Sequence, residues 1–368
     1  MIKVLLCSQS PSNTGGVRVW AGSVLSYFAS NPVSRKVSIR LLPMNRSASL
    51  MHLLPWYKKF GLIIKDYWSL PFKLQQTLSK EKYAIVHLVS VGNLGLIRDV
   101  FFLLIAKLNK SKGVVHFHFG RIPVIKDEKN YEWYLLRIVL YLADGIIVLD
   151  KKSYNVVHEY YPDKVWKIAN SVSVELSKFD IKPYKRKENK IIFVGHVIPE
   201  KGIIELLKAT YDFDNIELFV YGPTSENIMK EINAFLDKNP FKGKLFFKGL
   251  QPSSVIYEEL AQSSLFVLPT YTEGFPLIII EAMVCGCPII TTPVGAIEEI
   301  LQSNGEKLGY IIPVKNVEKL SDQIKYCLNN KEETFVKASK ARKKALEMYS
   351  TASMVKQLEE MWESIKNC

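Results

Sequence analysis

Two sets of short apolar runs, each alternating with longer helical stretches, limit the folds open to this chain of 368 residues. Short apolar runs bounded by turn residues are typical of buried strands, and parallel strands need a crossover, usually a helix, between them. The pattern therefore predicts α/β architecture with doubly wound parallel sheets. The predicted strands are 3–8, 37–43, 83–90, 113–120 and 145–150 in the first set, and 190–195, 216–222, 244–249, 265–270 and 288–292 in the second.

A polar, charged segment containing Pro183 lies between the two sets and predicts a linker at 173–189. The chain then divides into an N-terminal domain, 1–172, and a C-terminal domain, 190–349, with a helical tail from about 331 to 367. Two doubly wound domains in one chain place a cleft between them, where the carboxyl ends of the strands can meet a ligand.

The net positive charge of the chain comes from its first half. Residues 1–172 contain 24 Lys and Arg against 10 Asp and Glu, whereas residues 173–368 contain 25 against 26. A one-sided field of this kind attracts an anionic partner, which is nucleic acid, phosphorylated lipid or an acidic membrane surface. The segment 51–74 interleaves aromatic residues with lysines, a pattern typical both of an interfacial membrane segment and of an ordinary packed helix pair.

The apolar runs and the cysteines indicate the cellular compartment of the protein. The longest uncharged apolar run, "VFFLLIA" at 100–106, is too short to cross a bilayer, and "MIKVLLCSQS" is typical of a first strand rather than a signal peptide. Five cysteines, an odd number, predict free thiols and a cytoplasmic location. Cys285 and Cys287 lack the neighbouring ligands that a metal site needs, so no metal is expected.

The stretch "TEGFPLIIIEAM", residues 272–283, places Glu281 among apolar residues, where an ionised carboxylate is costly unless it is paired. Gly274 permits a tight turn and Pro276 suits a helix start, whose free N–H groups and positive dipole end suit phosphate. Glu273 lies just before this start, and each carboxylate can accept hydrogen bonds from adjacent sugar hydroxyls. The stretch fits a nucleotide sugar; the alternative is a core salt bridge for Glu281 and a helix cap for Glu273.

The longer stretch "LPTYTEGFPLIIIEAMVCGCPIITTPVGAIEEI" resembles the donor-binding signature of glycosyltransferase family 4, whose members are retaining enzymes with the GT-B fold. The shared features are Glu-x7-Glu, Gly-Phe-Pro, Glu-Ala-Met, Gly-x-Pro before a strand, and Pro-Val-Gly. The resemblance implies two Rossmann-like domains facing each other across a deep cleft, with a C-terminal helix, about 350–368, that packs back on the first domain. It covers nearly the whole chain, although the first 170 residues match only in pattern.

The resemblance assigns donor-binding roles in the second half. Glu281 would hold the ribose hydroxyls and Glu273 those of the transferred sugar, while "FVGHVIPEKG" at 193–202 resembles the loop that supplies two cations to the diphosphate. Lys201 matches the usual Lys, but His196 stands where the family most often has Arg, which is always charged and bidentate. The backbone around the helix start would frame the sugar and phosphates, at Gly274, Phe275, Pro276 and Leu277.

In the first half, "SPSNTGGVRVW" resembles the glycine-rich loop that faces the diphosphate, with Gly15 and Gly16. "HFHFG" at 116–120 presents His116 and His118 on one face of a strand end. By position, His118 resembles the active-site His near the donor sugar and His116 packs behind it; a zinc site would need a third ligand, and none is evident. The candidates for the acceptor side are His87 and Arg121.

The activity that the resemblance implies is retaining, metal-independent transfer of a hexose from a nucleotide diphosphate sugar to an acceptor hydroxyl, without a cofactor. Its catalytic residues would be His118, Glu273 and Lys201. The acceptor would be a lipid-linked or glycan precursor in cell-surface glycan biosynthesis, met in the cytoplasm or at the cytoplasmic face of the membrane. The alternative is a nucleotide-sugar-binding scaffold or regulatory protein without transferase activity.

Two other classes fit the sequence less well. A dinucleotide oxidoreductase needs Gly-x-Gly-x-x-Gly after its first strand, and "CSQSPSNTGG" lacks it. A nucleic-acid-binding protein would explain the basic first half but not the donor signature, so no nucleic-acid partner is expected.

Overall fold

The computed structural model describes residues 1–11, 16–30, 36–44, 69–172, 176 and 186–367. The chain divides into two compact units: unit 1 comprises Met1–Ser171 and Thr351–Cys368, and unit 2 comprises Val172–Ser350. The predicted domain limits lie next to these division points. The predicted site residue Gly15, the greater part of the aromatic and lysine-rich segment 51–74, and most of the linker 173–189 lie outside the described residues.

Unit 1 contains a six-stranded sheet with the order β2-β1-β3-β4-β5-β6, in which all neighbouring strands pair in parallel. Because β2 lies on one side of β1 and β3 on the other, the strand order reverses between β1 and β3. In open α/β sheets, ligands bind at the carboxyl ends of the strands beside such a reversal. The strands are β1 Ile2–Ser8, β2 Val37–Pro43, β3 Ile85–Ser90, β4 Lys112–Phe117, β5 Gly145–Val148 and β6 Val165–Lys167.

Helices cover both faces of this sheet, which explains why its strands are apolar throughout rather than alternating. Along β1, Val4 and Leu6 pack toward one face and Leu5 and Cys7 toward the other. The first face is covered by α1 Gly16–Ser30 and by the C-terminal helix Thr351–Asn367. The second is covered by α2 (69–80), α3 Gly95–Leu108, α4 Ile122–Glu128, α5 Tyr131–Leu142 and α6 Lys151–Tyr160.

Unit 2 contains a second six-stranded parallel sheet, in the order β14-β11-β10-β7-β8-β9, and a two-stranded hairpin, β12-β13. Its strand order reverses between β7 and β10. The strands are β7 Lys190–Val194, β8 Glu217–Tyr221, β9 Lys244–Gly249, β10 Leu265–Leu268, β11 Ile289–Thr291, β12 Gln302–Ser303, β13 Glu306–Lys307 and β14 Tyr310–Ile311. The helices are α7 Ile203–Thr210, α8 Glu226–Lys238, α9 Ser253–Gln262, α10 Leu277–Val284, α11 Ile297–Ile300, α12 Val317–Asn329 and α13 Lys331–Met348.

The helical tail contains a break at Tyr349, so that α13 belongs to unit 2 and the C-terminal helix, which was expected at about 350–368, belongs to unit 1. The end of the predicted linker needs correction. The last residues assigned to the linker, 186–189, belong to unit 2, because the Arg186 guanidinium donates hydrogen bonds to the carbonyl oxygens of Ser263 and Gly286, at 3.0 and 2.7 Å. Among the described helices, none combines the length and the apolar character needed to cross a membrane.

Candidate functional site

The candidate donor site lies in unit 2, in the loops that follow β7 and β10 at the reversal of strand order. The first loop contains the 3-10 helix Pro199–Lys201 and continues into α7; the second precedes α10. Two hydrogen bonds join the loops, since the Tyr271 N–H and the Thr270 hydroxyl both donate to the carbonyl oxygen of Glu200, at 2.8 and 3.1 Å. The loops therefore form one surface at the position where this sheet class binds ligands.

Glycine is required where these loops approach one another most closely. Gly202 has a φ of 75°, and a Cβ there would collide with the carbonyl group of Pro269. Gly295 has a φ of 57°, and a Cβ there would collide with the carbonyl oxygens of Glu273 and Gly274. Side chains other than glycine rarely adopt such backbone angles, so both positions combine a conformational and a steric reason for glycine.

Lys201 and Glu273 form an ion pair between the two loops. The Lys201 ammonium nitrogen lies 2.6 Å from the Glu273 carboxylate, and both side chains are partly buried. The sequence predicted both residues as donor ligands, and the structure brings them together. A cation and a carboxylate at one point can serve a diphosphate and a sugar hydroxyl respectively, because the first attracts anions and the second accepts hydrogen bonds.

The start of α10 presents free hydrogen-bond donors beside this ion pair. Within the described part of the chain, the N–H groups of Gly274, Phe275, Leu277 and Ile278 have no acceptor. Pro276, which has no N–H, occupies the N-cap position. Such donors, together with the positive end of the helix dipole, favour a bound phosphate or carboxylate.

Glu281 is the carboxylate that the apolar sequence context made conspicuous. It lies in the second turn of α10, where burial raises its pKa to about 7 even though the Tyr257 hydroxyl donates a hydrogen bond to it. That hydrogen bond is long, at 3.5 Å, and no described cation pairs with the carboxylate. The core salt bridge considered from the sequence is therefore not formed, and Glu281 remains a costly acceptor that a ligand's hydroxyls could satisfy.

His196 follows β7 directly after Gly195, and its side chain is exposed. The loop around it is fixed by backbone contacts, because the Gly195 N–H donates to the Tyr221 carbonyl oxygen and the Val197 N–H to that of Pro223, both at 3.0 Å. The imidazole itself has no partner among the described residues. Its position on the same loop as Lys201 agrees with the role predicted for it, which stays a prediction.

In unit 1, three histidines and two tryptophans form a buried cluster at the carboxyl ends of β3 and β4. The rings of His116 and His118 lie 4.2 Å apart, and Trp20 of α1 packs edge-on against both. The indole of Trp362, in the C-terminal helix, donates to Nδ1 of His87 at 3.1 Å. Because that bond fixes the tautomer of His87, its Nε2 carries a proton and lies 3.4 Å from Nδ1 of His116.

The structure corrects the expectation for His87. It was predicted on the acceptor side, but its ring is fully buried and both ring nitrogens face protein partners, Trp362 and His116. His116 packs behind His118, as the sequence suggested. The Nε2 atoms of His116 and His118 are buried without a hydrogen-bond partner among the described residues. A role of His118 beside a donor sugar stays a prediction, and an unsatisfied ring nitrogen is compatible with it.

This cluster predicts acid-sensitive folding of unit 1. Burial lowers the pKa of His87 and of His118 to about 3 and holds that of His116 well below 6.5. The unfolded chain therefore binds protons that the folded chain does not, so stability is complete above about pH 6.5 and falls as the pH drops toward 3. We expect a slope of up to about 1.4 kcal/mol per pH unit for each histidine, measured by urea unfolding between pH 7.5 and 5.

A pair of glutamine variants isolates this effect. His87→Gln keeps a neutral polar group but cannot titrate, so its pH dependence should be shallower by about one histidine's share. His158→Gln changes an exposed histidine of α6 and should leave the slope unaltered. Equal slopes for His87→Gln and the wild type would contradict the assignment of acid sensitivity to this cluster.

Arg121, the other candidate for the acceptor side, is engaged by a carboxylate of its own unit. Its guanidinium forms a two-point ion pair with the buried Glu132 of α5, at 2.7 and 2.5 Å, and lies over the ring of Phe119. Glu132 also accepts a hydrogen bond from the Asn93 N–H at 2.6 Å. Through Glu132, Arg121 therefore links the loop after β4 to the loop after β3. A negatively charged ligand that contacted Arg121 would share its guanidinium with Glu132.

Sequence reasoning missed a buried ion pair at the same edge of the sheet. The side chains of Arg98 and Asp99, in α3, pair at 2.5 Å, and the Ser90 hydroxyl donates to Asp99. Arg98 lines a small pocket beside the reversal between β1 and β3, together with Gln9, Val17, Met44, Val89 and Val91. The only feature of the sequence that could have pointed to this ion pair was the position of Ser90 at the end of β3.

Cys285 and Cys287 have free thiols and are buried in the core of unit 2. Burial raises the pKa of the Cys287 thiol to about 12, so this cysteine stays protonated near neutral pH. In the part of the chain that the structure describes, no three side chains of His, Cys, Asp or Glu are placed so that they could hold a metal ion.

The second half of the chain matches a known family. Residues 176–345, slightly less than half of the chain, match the family model described as Glycosyl transferases group 1. The glycosyltransferase CapM of capsular polysaccharide biosynthesis, from Staphylococcus aureus, is 25% identical over 264 residues, 66% of this chain and 67% of that protein. An uncharacterized glycosyltransferase of Methanocaldococcus jannaschii is 28% identical over 192 residues, 52% of this chain and 51% of that protein. The chain thus spans between half and two thirds of these relatives.

The comparison of structures extends over both units. The crystal structure of HepE from Anabaena in complex with UDP is similar to this chain with a TM-score of 0.72, covering 99% of this chain and 100% of that one at 17% identity. At this identity the likeness shows the fold alone. The protein has the α/β fold with two Rossmann-like parallel sheets that is called GT-B, as the sequence predicted.

Proposed function

We propose that the protein is a retaining, metal-independent glycosyltransferase that moves a hexose from a nucleotide diphosphate sugar to an acceptor hydroxyl. The observation that carries the proposal is the Lys201–Glu273 ion pair beside the free N–H groups at the start of α10. It joins a cation, a hydroxyl acceptor and an anion-binding helix end at the reversal of strand order in unit 2. A nucleotide sugar needs all three.

The proposed chemistry is mainly electrostatic. As the bond between the sugar and the diphosphate breaks, negative charge grows on the departing phosphate oxygens, where Lys201, His196 and the free N–H groups would stabilise it. Glu273 would hold the hydroxyls of the transferred sugar and Glu281 those of the ribose. The acceptor oxygen then bonds to the sugar carbon on the face that the diphosphate leaves, and the acceptor's proton passes to the departing diphosphate.

The substrates are proposed from the relatives and the charge distribution. The CapM relative acts in capsular polysaccharide biosynthesis by its name, and HepE was crystallised with UDP, so a uridine nucleotide and a cell-surface glycan precursor are the first candidates. A lipid-linked acceptor would place the enzyme at the cytoplasmic face of a membrane, where the positive excess of residues 1–172 favours an anionic surface. Unit 1 is the proposed acceptor-binding part.

A screen of nucleotide sugars tests the proposal. We expect the sugars of one nucleotide, which is UDP, GDP or ADP, to raise the thermal unfolding midpoint of the protein by a few degrees at millimolar concentration, because ligand binds only the folded protein. Slow release of nucleotide from the stabilising donor should follow, in the presence of chelator. An anomeric NMR signal that keeps the donor's configuration would establish retention. No stabilisation by any of these donors would contradict donor binding.

A second candidate function is a nucleotide-sugar-binding scaffold or regulator. The exposed His196, in place of the arginine expected from the resemblance, favours it because an imidazole offers less charge to the departing diphosphate. The same screen separates the two, since a scaffold is stabilised by the nucleotide sugar but releases no nucleotide from it.

A further inference from the structure

Two neighbouring helices of unit 1, α3 and α5, present apolar and aromatic side chains to the solvent as well as to the core. They pack side by side on the second face of the sheet, with their inner residues in its core. On α3 the exposed side chains recur at helical spacing, with Phe101 at 49% and Leu108 at 81% exposure. A surface helix of a globular protein normally turns polar residues outward, whereas these two helices are apolar on both their inner and outer faces.

The outer face of α5 repeats the pattern with tyrosines. Tyr134 and Tyr141 are 61% and 69% exposed, and Ile138 lies between them on the same face. Large exposed apolar patches are rare on monomeric proteins and mark surfaces of interaction. We define the α3–α5 face by its exposed apolar residues: Leu94, Phe101, Leu104, Leu108, Tyr131, Tyr134, Ile138 and Tyr141.

The exposed charges on these two helices are positive only. Lys107 and Arg137 are exposed and form no ion pair with a described residue. The acidic residues of the same helices, Asp99 and Glu132, are buried against Arg98 and Arg121 and contribute no free negative charge to the face. The nearest exposed carboxylates in sequence, Asp127 and Glu128, lie in α4 before α5 begins.

We propose that the α3–α5 face binds the surface of an anionic lipid bilayer, with both helices lying along the interface. Tyrosine places an apolar ring and a polar hydroxyl in the layer where hydrocarbon meets headgroups, leucine and phenylalanine reach the acyl chains, and Lys and Arg meet lipid phosphates. A protein partner would bury a similar area but would not require charge of one sign. The positive excess of unit 1 adds attraction to the same surface.

This inference names the surface for the membrane partner included in the proposed function, and it does not depend on donor binding. Vesicle sedimentation tests it with phosphatidylglycerol mixed into phosphatidylcholine, against phosphatidylcholine alone. We expect wild type to sediment with the anionic vesicles at low salt. Phe101→Gln/Leu104→Gln/Ile138→Gln should lower the partition coefficient about tenfold or more, because three interfacial apolar groups are lost.

The matched control changes three exposed apolar residues of unit 2, as Leu250→Gln/Val336→Gln/Met348→Gln, and should bind vesicles like wild type. Lys107→Gln/Arg137→Gln should weaken binding to anionic vesicles severalfold. Unchanged sedimentation of the first triple variant would overturn the proposal. The proposal would also be overturned if wild type formed a dimer in light scattering and the triple variant did not, because the face would then bind a second copy of the chain. Nucleotide-sugar stabilisation of the triple variant should persist, so loss of vesicle binding alone leaves the proposed transferase intact.

Discussion

Glu273→Gln is expected to lower sugar transfer by about a hundredfold to a thousandfold while leaving unit 2 folded. The amide keeps the size of the side chain, but it removes the negative charge that holds Lys201 at 2.6 Å and that, in the proposed function, accepts hydrogen bonds from the hydroxyls of the transferred sugar. Lys201→Ala should have an effect of similar size, because it removes the cation available to the departing diphosphate. Initial rates of nucleotide release, with donor saturating and then limiting, measure both variants.

The two changes should not add. In the empty site the two charges neutralise one another, so each single variant also leaves its partner uncompensated beside the start of α10. When two residues act as a unit, removing either one already removes most of their joint effect on the rate. The double variant should therefore have about the rate of the slower single variant, rather than the rate expected if the two losses multiplied. This coupling distinguishes a working pair from two independent ligands.

The ion pair between Lys244 and Glu217 supplies the matched control. It lies in the same unit, joins β8 to β9 at 2.9 Å and is exposed, so Lys244→Ala should change neither the rate nor, beyond about 1 kcal/mol, the stability. Thermal unfolding of the Glu273 and Lys201 variants establishes that they fold. Transfer at the wild-type rate by either folded variant is incompatible with the proposed function.

The sequence was sufficient for most of the fold because parallel strands buried on both faces are apolar along their whole length. The run at 3–8 corresponds to β1 Ile2–Ser8, and the run at 190–195 to β7 Lys190–Val194. Edge strands were missed where they are too short to show a pattern, as in β6 Val165–Lys167 and β14 Tyr310–Ile311.

The site was predictable where one short stretch contains it. Glu273, the helix start and Glu281 lie within twelve residues, and their spacing alone places them around the first turns of α10. Contacts that depend on the tertiary fold were not predictable. The indole of Trp362 meets His87 across a separation of 275 residues, and that contact, rather than any local pattern, turned His87 from a surface candidate into a core residue.

Glu281→Gln is expected to stabilise the empty protein and to weaken donor binding. The folded-state pKa of about 7 lies above the ordinary 4.5, so the folded chain keeps a proton that the unfolded chain has released, and stability falls as the pH rises from about 4.5 to 7. Above pH 7 the buried charge persists as a cost. The neutral amide removes it, and unfolding at pH 8 should require on the order of 2 kcal/mol more.

In the proposed function the ribose hydroxyls donate to the ionised carboxylate, so the same change should raise the dissociation constant of the nucleotide sugar about tenfold to a hundredfold at pH 8. In wild type, affinity should fall about tenfold per pH unit below pH 7, because the carboxyl must release its proton before it accepts both hydroxyls. Calorimetric titration in two buffers of different ionisation enthalpy would detect that proton release. Glu281→Gln should show neither the pH dependence nor the release.

Glu259→Gln is the control with the opposite sign. Burial works to raise the pKa of Glu259, but the hydrogen bonds from Lys190 and Tyr221 outweigh it and leave that pKa lowered. Its amide should therefore destabilise unit 2, because the fully buried Lys190 loses its counter-charge. A residue kept at a cost to stability, as Glu281 is, needs a compensating gain, and the proposed ribose contact would provide one. If Glu281→Gln neither stabilised the empty protein nor weakened nucleotide-sugar binding, Glu281 would be an ordinary core residue and the ribose would have to be held elsewhere.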